Sequence, residues 1–370
     1  MKVIFEALRL PRYGGVRSAA IGWIKALAEF SDRTHFIALL SQPESELQYL
    51  TNLKQIIIPT ATRSLPRLYL QFLLPILVQK HKADIVHFLR NLAVVVPNAQ
   101  VVVNINDLNR FYLPDAYSKW DIIYWKIIQT RILKYSKRII CISNQTRRDV
   151  LNWLDYPEQN TITIFPAVKA SFHPTINNSN LVKNKYHLYH KFVLYTGGLA
   201  KHKNVQTLIR AFGILKQSTG LPHQLVIVGG QYHTHVDTQA YTVAKELLKD
   251  DIIFTGPVPE VDLLQLYNVA ELFVFPSLYE GFGLTPLEAM ACGTPVIASP
   301  VGSLPEVLGD AAFWVENPLN EYGFASAMKT LLVDDDLREN LRQKGIEQAS
   351  KFSWKKTAQQ TMAVYEDLLT

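Results

Sequence analysis

Two carboxylates eight residues apart, Glu280 and Glu288, frame Gly281-Phe282-Gly283-Leu284-Thr285-Pro286-Leu287. The apolar run 272–275 before them reads as a buried strand, and 280–283 as a turn whose glycines allow positive φ and close backbone approach. Thr285 reads as an N-cap, with Pro286 at the first helical position and Glu288 three residues after the cap, the pattern of a capping box. Cys292-Gly293 supplies the helix stop. A strand, a glycine turn and a capped helix start present free backbone N–H groups, a site for an anion such as a diphosphate. A carboxylate beside a phosphate is unfavourable unless it accepts hydrogen bonds from hydroxyls, as a ribose or a hexose offers. The plainer account has Glu288 closing the capping box and Glu280 solvated in its turn.

Such a site needs a sheet to position it. Short β-branched runs alternate with helical patterns along most of the chain, the sign of βαβ units and parallel sheets. The candidate strands are 3–7, 35–40, 56–58, 85–88, 101–104 and 138–142, then 192–196, 224–228, 252–255, 272–275, 295–298 and 312–315. After the first strand, Val16, Ala19, Ala20, Trp23, Ile24 and Leu27 recur at helical spacing. The polar stretch 173–189, with Asn177-Asn178-Ser179-Asn180, reads as a linker between two doubly wound halves.

At 370 residues, two domains are expected, because a single core rarely grows beyond roughly 250–300. With 48% apolar and 19% charged residues, disordered and collagen-like chains are excluded. The net charge of +6 permits anionic ligands or an acidic membrane, but no basic stripe interleaved with aromatics points to nucleic acid. Cys141 and Cys292 exclude a disulfide scaffold and read as buried thiols. The charged N-terminus reads as a strand and not as a signal peptide. The apolar run 68–78 is about half a membrane span and is broken by Pro75, so a cytoplasmic or peripheral protein is expected. His233-Thr234-His235 has no metal-ligand spacing. Neither Gly14-Gly15 nor Gly197-Gly198 extends to G-x-G-x-x-G, which argues against a dinucleotide-dependent redox enzyme.

The Glu280–Glu288 segment resembles the E-x7-E signature of the retaining, two-domain glycosyltransferases of family 4, the group 1 glycosyl transferases. The resemblance covers nearly the whole chain. It implies two facing Rossmann-like doubly wound parallel-sheet domains, the GT-B arrangement: 1–172 on the acceptor side, a linker 173–189, and 190–354 binding the nucleotide sugar. It implies too that the last helix, opened by Phe352-Ser353-Trp354, crosses back, so that 355–370 belong with the first domain. It implies that Glu288 binds ribose hydroxyls, that Glu280 touches the donor sugar, and that the backbone of Gly281, Phe282, Gly283, Leu284 and Thr285 holds sugar hydroxyls and phosphate. It implies further that Lys203 neutralises the departing diphosphate, that Gly14 and Gly15 lie near donor phosphates and acceptor, and that Phe254 lies near the base. It also implies a nucleotide diphosphate sugar as donor, a glycan or lipid-linked acceptor, no cofactor and no divalent metal. Mannosyl or rhamnosyl transfer into cell-surface polysaccharide is the variant the overall resemblance favours, with GDP-mannose as donor.

The chain departs from the family pattern in two places. Gly198 stands where many relatives carry an arginine, leaving Lys201 or His202 as the second cation. Asn106-Asp107 stands where many carry His-Asp; Asp107 either orients an acceptor hydroxyl or is a turn residue. These departures keep a non-catalytic or altered-activity binder as the alternative. His87, Arg12, Arg17, Arg147 and Arg148 each have a ligand reading and a structural or solvated one. The segment 65–82 reads as a core helix or, with Arg67, Lys80 and Lys82, as a contact with an anionic membrane at its inner face.

Overall fold

The computed structural model describes residues 1–8, 10–11, 14–58, 66–175, 179–230 and 251–370, leaving aside the side chains of 66–69 and 179–180. Arg12, Leu65, Asn177, Asn178, His233 and His235 lie outside the described residues or their side chains. The chain forms two compact units, Met1–Ala167 with Phe352–Thr370, and Val168–Lys351.

The first unit holds β1 (Lys2–Ala7), α1 (Gly15–Phe30), β2 (His35–Leu40), β3 (Leu53–Ile57), α2 (Pro66–His81), β4 (Ile85–Phe88) and β5 (Gln100–Ile105). Then come α3 (Asn109–Tyr112), α4 (Lys119–Tyr124), a π-helical turn (Trp125–Gln129), α5 (Thr130–Leu133), β6 (Arg138–Cys141), α6 (Asn144–Leu154) and β7 (Thr161–Thr163). Its sheet is parallel throughout, in the order β3-β2-β1-β4-β5-β6-β7. The strands are almost continuously buried, as expected for a parallel sheet covered on both faces. Alternation along each strand divides the core. Ile4, Leu39, Val86, Phe88 and Val103 join one cluster with Leu70 and Leu74 of α2, Trp125, Leu133 of α5 and Val150 of α6. On the other face Phe5 stacks on Phe36, and His87 packs tilted against Phe5.

The second unit holds α7 (Ser179–Lys185), β8 (Phe192–Thr196), α8 (Val205–Thr219), β9 (Gln224–Val228), β10 (Ile252–Gly256), α9 (Glu260–Val269) and β11 (Leu272–Phe275). It continues with α10 (Leu284–Ala291), β12 (Val296–Ala298), α11 (Leu304–Leu308), β13 (Ala312–Trp314), α12 (Glu321–Val333) and α13 (Asp335–Ser350). Its sheet, also parallel, runs β10-β9-β8-β11-β12-β13. The order reverses between β8 and β11, so the loops after these two strands flank the crevice where open α/β sheets take ligands.

The last helix, α14 (Trp354–Asp367), belongs to the first unit. It packs on α1, with Trp23 Nε1 donating to Thr361 Oγ1 (3.1 Å) and Thr357 Oγ1 to the Phe165 carbonyl (2.6 Å). The expected linker 173–189 is part of the second unit, whose boundary falls at Ala167/Val168. Its polar content has a local reason: Lys185 Nζ (2.5 Å) and Tyr186 OH (2.7 Å) both donate to Asp262 Oδ2 on α9.

Candidate active site

β11 ends at Phe275, and Pro276 to Gly283 cross the end of the sheet before α10 begins. Gly283, not Thr285, is the N-cap, in the left-handed region at φ 96°. Thr285 is therefore the second residue of α10, and the capping box is not formed: no side chain caps this helix. A residue with a Cβ at Gly283 would meet Leu304 Cδ2 at 2.4 Å. The start shifts because the glycine turn takes the chain into the helix two residues earlier, leaving the amides of the first turn without a side-chain acceptor.

Glu288, freed from capping, turns into the core and is 5% exposed. Its Oε2 accepts from Tyr267 OH on α9 (3.1 Å), and that hydroxyl shares a second hydrogen bond with Thr196 Oγ1 at the end of β8 (2.7 Å). Burial pushes the Glu288 carboxyl up to about 8; the Tyr267 hydrogen bond and Lys169 oppose the shift, and Glu260 adds to it. Glu280 has a charged partner. Its Oε1 accepts from Lys203 Nζ at 2.6 Å, and the ammonium lies 5.3 Å above the Phe275 ring. Its backbone is gripped from below: the Glu280 carbonyl accepts from Ser303 N (3.0 Å) and Ser303 Oγ (3.2 Å). At Gly302, φ 56°, a Cβ would stand 2.2 Å from that carbonyl oxygen.

Lys203 is delivered by the loop after β8, where Lys201–Lys203 form one 3-10 turn. Asn204 follows in the left-handed region (φ 53°) and clamps that turn onto the β11 loop, donating through Nδ2 to the carbonyls of Pro276 (3.0 Å) and Pro318 (2.6 Å). Leu278 N donates to the His202 carbonyl (2.8 Å). Lys201 is exposed and His202 half-buried, on the same turn as Lys203. Gly198 offers a backbone carbonyl, which accepts from Tyr195 OH (2.9 Å). Gly281 and Phe282 are buried beneath the turn, while Leu284 and Thr285 are partly exposed at the helix start. Phe254 lies near the end of β10, at a register shift against β9.

The structure thus joins Lys203, Glu280, Glu288, residues 281–285 and the Lys201–Lys203 turn in one loop cluster of the second unit. Tyr267, Thr196, Asn204, Gly302 and Ser303 were not singled out by the sequence. Val301-Gly302-Ser303-Leu304-Pro305 after β12 does carry a readable turn and helix start. Tyr267 carries no such sign, since an aromatic on a helix reads as core.

The remaining candidates lie in the first unit. Gly14 caps α1 and its carbonyl accepts from Arg17 N and Ser18 N (both 3.1 Å); Gly15 is the first helical residue. Arg17 forms a bidentate pair with Glu44. Asp107 is half-buried, its carbonyl accepting from Asn91 Nδ2 (2.7 Å) and its Oδ1 from Asn109 N (3.3 Å), while Asn106 N donates to Asn91 Oδ1 (2.5 Å). His87 is fully buried. Burial lowers it to about 4, so the neutral ring donates from Nε2 to Asn104 Oδ1 (2.8 Å) and accepts at Nδ1 from Tyr365 OH (2.5 Å). It joins β4, β5 and α14, a structural part. Arg147 is also structural, bonded to Thr161 Oγ1 (3.0 Å) and Glu158 Oε1 (3.1 Å), and Arg148 is exposed, donating to Gln145 Oε1 (2.7 Å). Residues 70–78 of α2 supply core through Leu70, Leu74, Leu77 and Val78. Both cysteines are buried free thiols. Among the described residues, no three His, Cys, Asp or Glu side chains converge as metal ligands, and no helix is long and apolar enough to cross a membrane.

Comparison with known proteins agrees with this geometry. Residues 13–172 match the family described as Glycosyltransferase Family 4, and residues 180–348 match Glycosyl transferases group 1. The O-antigen chain mannosyltransferase B of Escherichia coli is 32% identical over 270 residues, 72% of this chain and 70% of that protein. The serotype-specific mannosyltransferase WbdA of Escherichia coli is 34% identical over 229 residues, 60% of this chain but only 27% of the longer relative. Among solved structures, HepE of Anabaena in complex with UDP-glucose has a TM-score of 0.81 at 18% identity, covering 99% of this chain and all of that one. A sucrose-phosphate synthase from Thermosynechococcus elongatus has a TM-score of 0.78 at 22% identity, over 100% and 99% of the two chains. Two parallel-sheet α/β units, paired glutamates on the β11–α10 loop and in α10, and family matches over both halves place the chain in the group 1, family 4 glycosyltransferases.

Proposed function

We propose that the chain transfers a hexose, with retention and without a divalent metal, from a nucleotide diphosphate sugar to a glycan or lipid-linked acceptor. Mannose from GDP-mannose is the preferred donor, and the product belongs to a cell-surface polysaccharide made at the cytoplasmic side of the membrane. The observation that carries this reading is the pairing of Lys203 with Glu280 beside the uncapped start of α10, with Glu288 buried one helical turn further on. Two mannosyltransferases among the relatives support the sugar, and HepE, solved with UDP-glucose, supports a nucleotide sugar as donor.

In this reading the bond from the anomeric carbon to the diphosphate breaks, and the acceptor hydroxyl oxygen takes its place on the same face. The hydroxyl proton passes to the departing phosphate. Negative charge grows on that phosphate, and Lys203 with the amides of residues 283–285 stabilises it, a contribution of several kcal/mol where fixed donors meet developing charge. Lys201 and His202 supply further positive charge in place of the residue Gly198 lacks. Glu280 accepts from sugar hydroxyls and Glu288 from the ribose, with Phe254 beside the base. In the first unit Gly14 and Gly15 serve phosphate or acceptor, and Asp107 orients the acceptor hydroxyl.

A thermal-shift screen against GDP, UDP, ADP, dTDP and their sugars tests the donor. A ligand at roughly one hundred times its Kd adds about 2.7 kcal/mol of stability. Stabilisation lost in Glu288→Ala and in Lys203→Ala, with sugar transfer to an acceptor glycan by the unmodified chain, is the expected result. Binding without transfer would favour the altered-activity binder, and no binding of any nucleotide would remove both.

A further inference from the structure

The helical segment from Lys119 to Leu133 has an inner side that the fold accounts for. Trp125, Gln129 and Leu133 are buried, Tyr124 and Ile132 pack against the same core, and Arg110 lies over the Trp125 ring at 4.3 Å. Its outer side is not explained by packing. Trp120 is 80% exposed, and Ile123, Ile127, Ile128 and Tyr135 are exposed with it. Trp120, Ile123, Ile127 and Arg131 stand at helical spacing on one stripe. The flanks are Lys119, Lys126, Arg131, Lys134 and Lys137, all exposed. Between Tyr117 and Lys137 the one acidic residue is Asp121, and Arg110 Nη1 is bonded to it at 3.1 Å.

We propose that this outer side of residues 119–137 is a docking surface for an anionic lipid bilayer. An aliphatic centre, aromatic residues at both ends and basic flanks are the composition of a helix lying in the plane of a membrane interface. The fifteen residues 119–133 extend about 22 Å along that plane. A protein partner of ordinary composition does not call for five cations facing two acids that are already paired, Asp121 with Arg110 and Asp155 with Lys134 (3.3 Å); an anionic lipid surface does, because each basic side chain near it adds attraction. The surface differs from the 65–82 segment singled out by composition, where Phe72 and Ile76 are exposed on α2 and the exposed cations among the described side chains are Lys80 and Lys82. This inference deepens the proposed transfer to a lipid-borne acceptor and rests on it for its purpose, because docking brings the enzyme to such an acceptor.

The test is flotation of the full chain with vesicles of phosphatidylcholine, with and without about one-third phosphatidylglycerol. Binding is expected on the anionic vesicles alone and should weaken with salt. The double variants Trp120→Ser with Ile127→Ser, and Lys126→Glu with Arg131→Glu, should each lose about ten-fold or more. Phe72→Ser with Ile76→Ser should lose far less. All six positions point outward, so far-UV circular dichroism and Tm should not change. Absence of binding to anionic vesicles, or binding unchanged in the first two variants, overturns the proposal. So does a dimer that dissociates in Trp120→Ser with Ile127→Ser, since a second copy then covers the face. Nucleotide thermal shifts on the same samples separate the two readings. Vesicle binding without nucleotide binding defeats the proposed function only; the reverse result defeats the docking surface only.

Discussion

Burial holds the Glu288 carboxyl protonated up to about pH 8, yet accepting hydrogen bonds from two ribose hydroxyls calls for the carboxylate. Donor binding is therefore expected to release a proton. Affinity for a sugar nucleotide, whose phosphodiesters do not titrate in this range, should strengthen as pH rises from about 6.5 to 8.5. Glu288→Gln should bind more weakly and with a flat pH profile, read by calorimetry. The stability sign follows from the same shift. The folded value near 8 lies above the ordinary 4.5, so the folded chain keeps a proton that the unfolded chain gives up. This group's contribution to stability therefore declines as pH climbs between those values, and Glu288→Gln should flatten that decline. Tyr267 acts through Glu288: its hydroxyl donates to Oε2 (3.1 Å), with Thr196 behind it. Tyr267→Phe removes a hydrogen bond to a charged acceptor, worth about 1.5–3 kcal/mol, so the donor Kd should rise roughly ten-fold or more. Its pH profile should also move upward. A weaker Kd with an unmoved profile would make Tyr267 a packing residue.

Among the elements, the loop after β12 holds the Glu280 backbone from outside the glutamate's own turn, through Ser303 N and Oγ. Gly302→Ala puts a Cβ 2.2 Å from the Glu280 carbonyl oxygen at a backbone φ of 56°. The left-handed region alone costs roughly 1–2 kcal/mol; the clash with backbone must move Glu280 as well. The control is Gly220→Ala at the end of α8, with φ 65° and open space around the Cβ. Both should lower Tm, and Gly302→Ala alone should weaken donor binding. The contrast also marks how far the sequence could be read. Strands His35–Leu40, Ile85–Phe88, Phe192–Thr196, Gln224–Val228 and Leu272–Phe275 stand where their apolar runs end, because a strand buried on both faces advertises itself continuously. β7, Thr161-Ile162-Thr163, was missed: two threonines around one isoleucine make no apolar run, and pairing with β6 at the sheet edge defines it. The Thr285-Pro286-x-Glu288 pattern fits a capping box locally, but burial against Tyr267 claims Glu288 for another purpose. The two glutamates, Glu280 and Glu288, were legible from their spacing. Their supports, Asn204, Ser303 and Tyr267, were not, because each acts across more than twenty residues.

Over the whole molecule, stability of the first unit and donor binding by the second rest on different residues. The side chains proposed for the donor, Lys203, Glu280 and Glu288, lie within Val168–Lys351 together with Tyr267 and Thr196 behind Glu288, and only Gly14 and Gly15 are proposed for it from the first unit. The first unit depends on the returning helix α14, which closes over α1 through the Trp23–Thr361 and Thr357–Phe165 hydrogen bonds and a Trp354 ring seated on Gly22. A Cβ at Gly22 would lie 2.2 Å from Trp354 Cζ2. Gly22→Val drives two further methyl groups into that ring and should cost about 1–3 kcal/mol by overpacking. For a unit of this size that lowers its thermal transition by several degrees, roughly 2–12 °C. Sites with no shared partners usually add independently. The Kd for the nucleotide sugar in Gly22→Val should therefore stay within about two-fold of the original chain, measured well below the transition. A Kd that rises in step with the loss of stability would mean that the anchoring of α14 reaches the donor loops, and that Phe352–Thr370 serves the site as well as the fold.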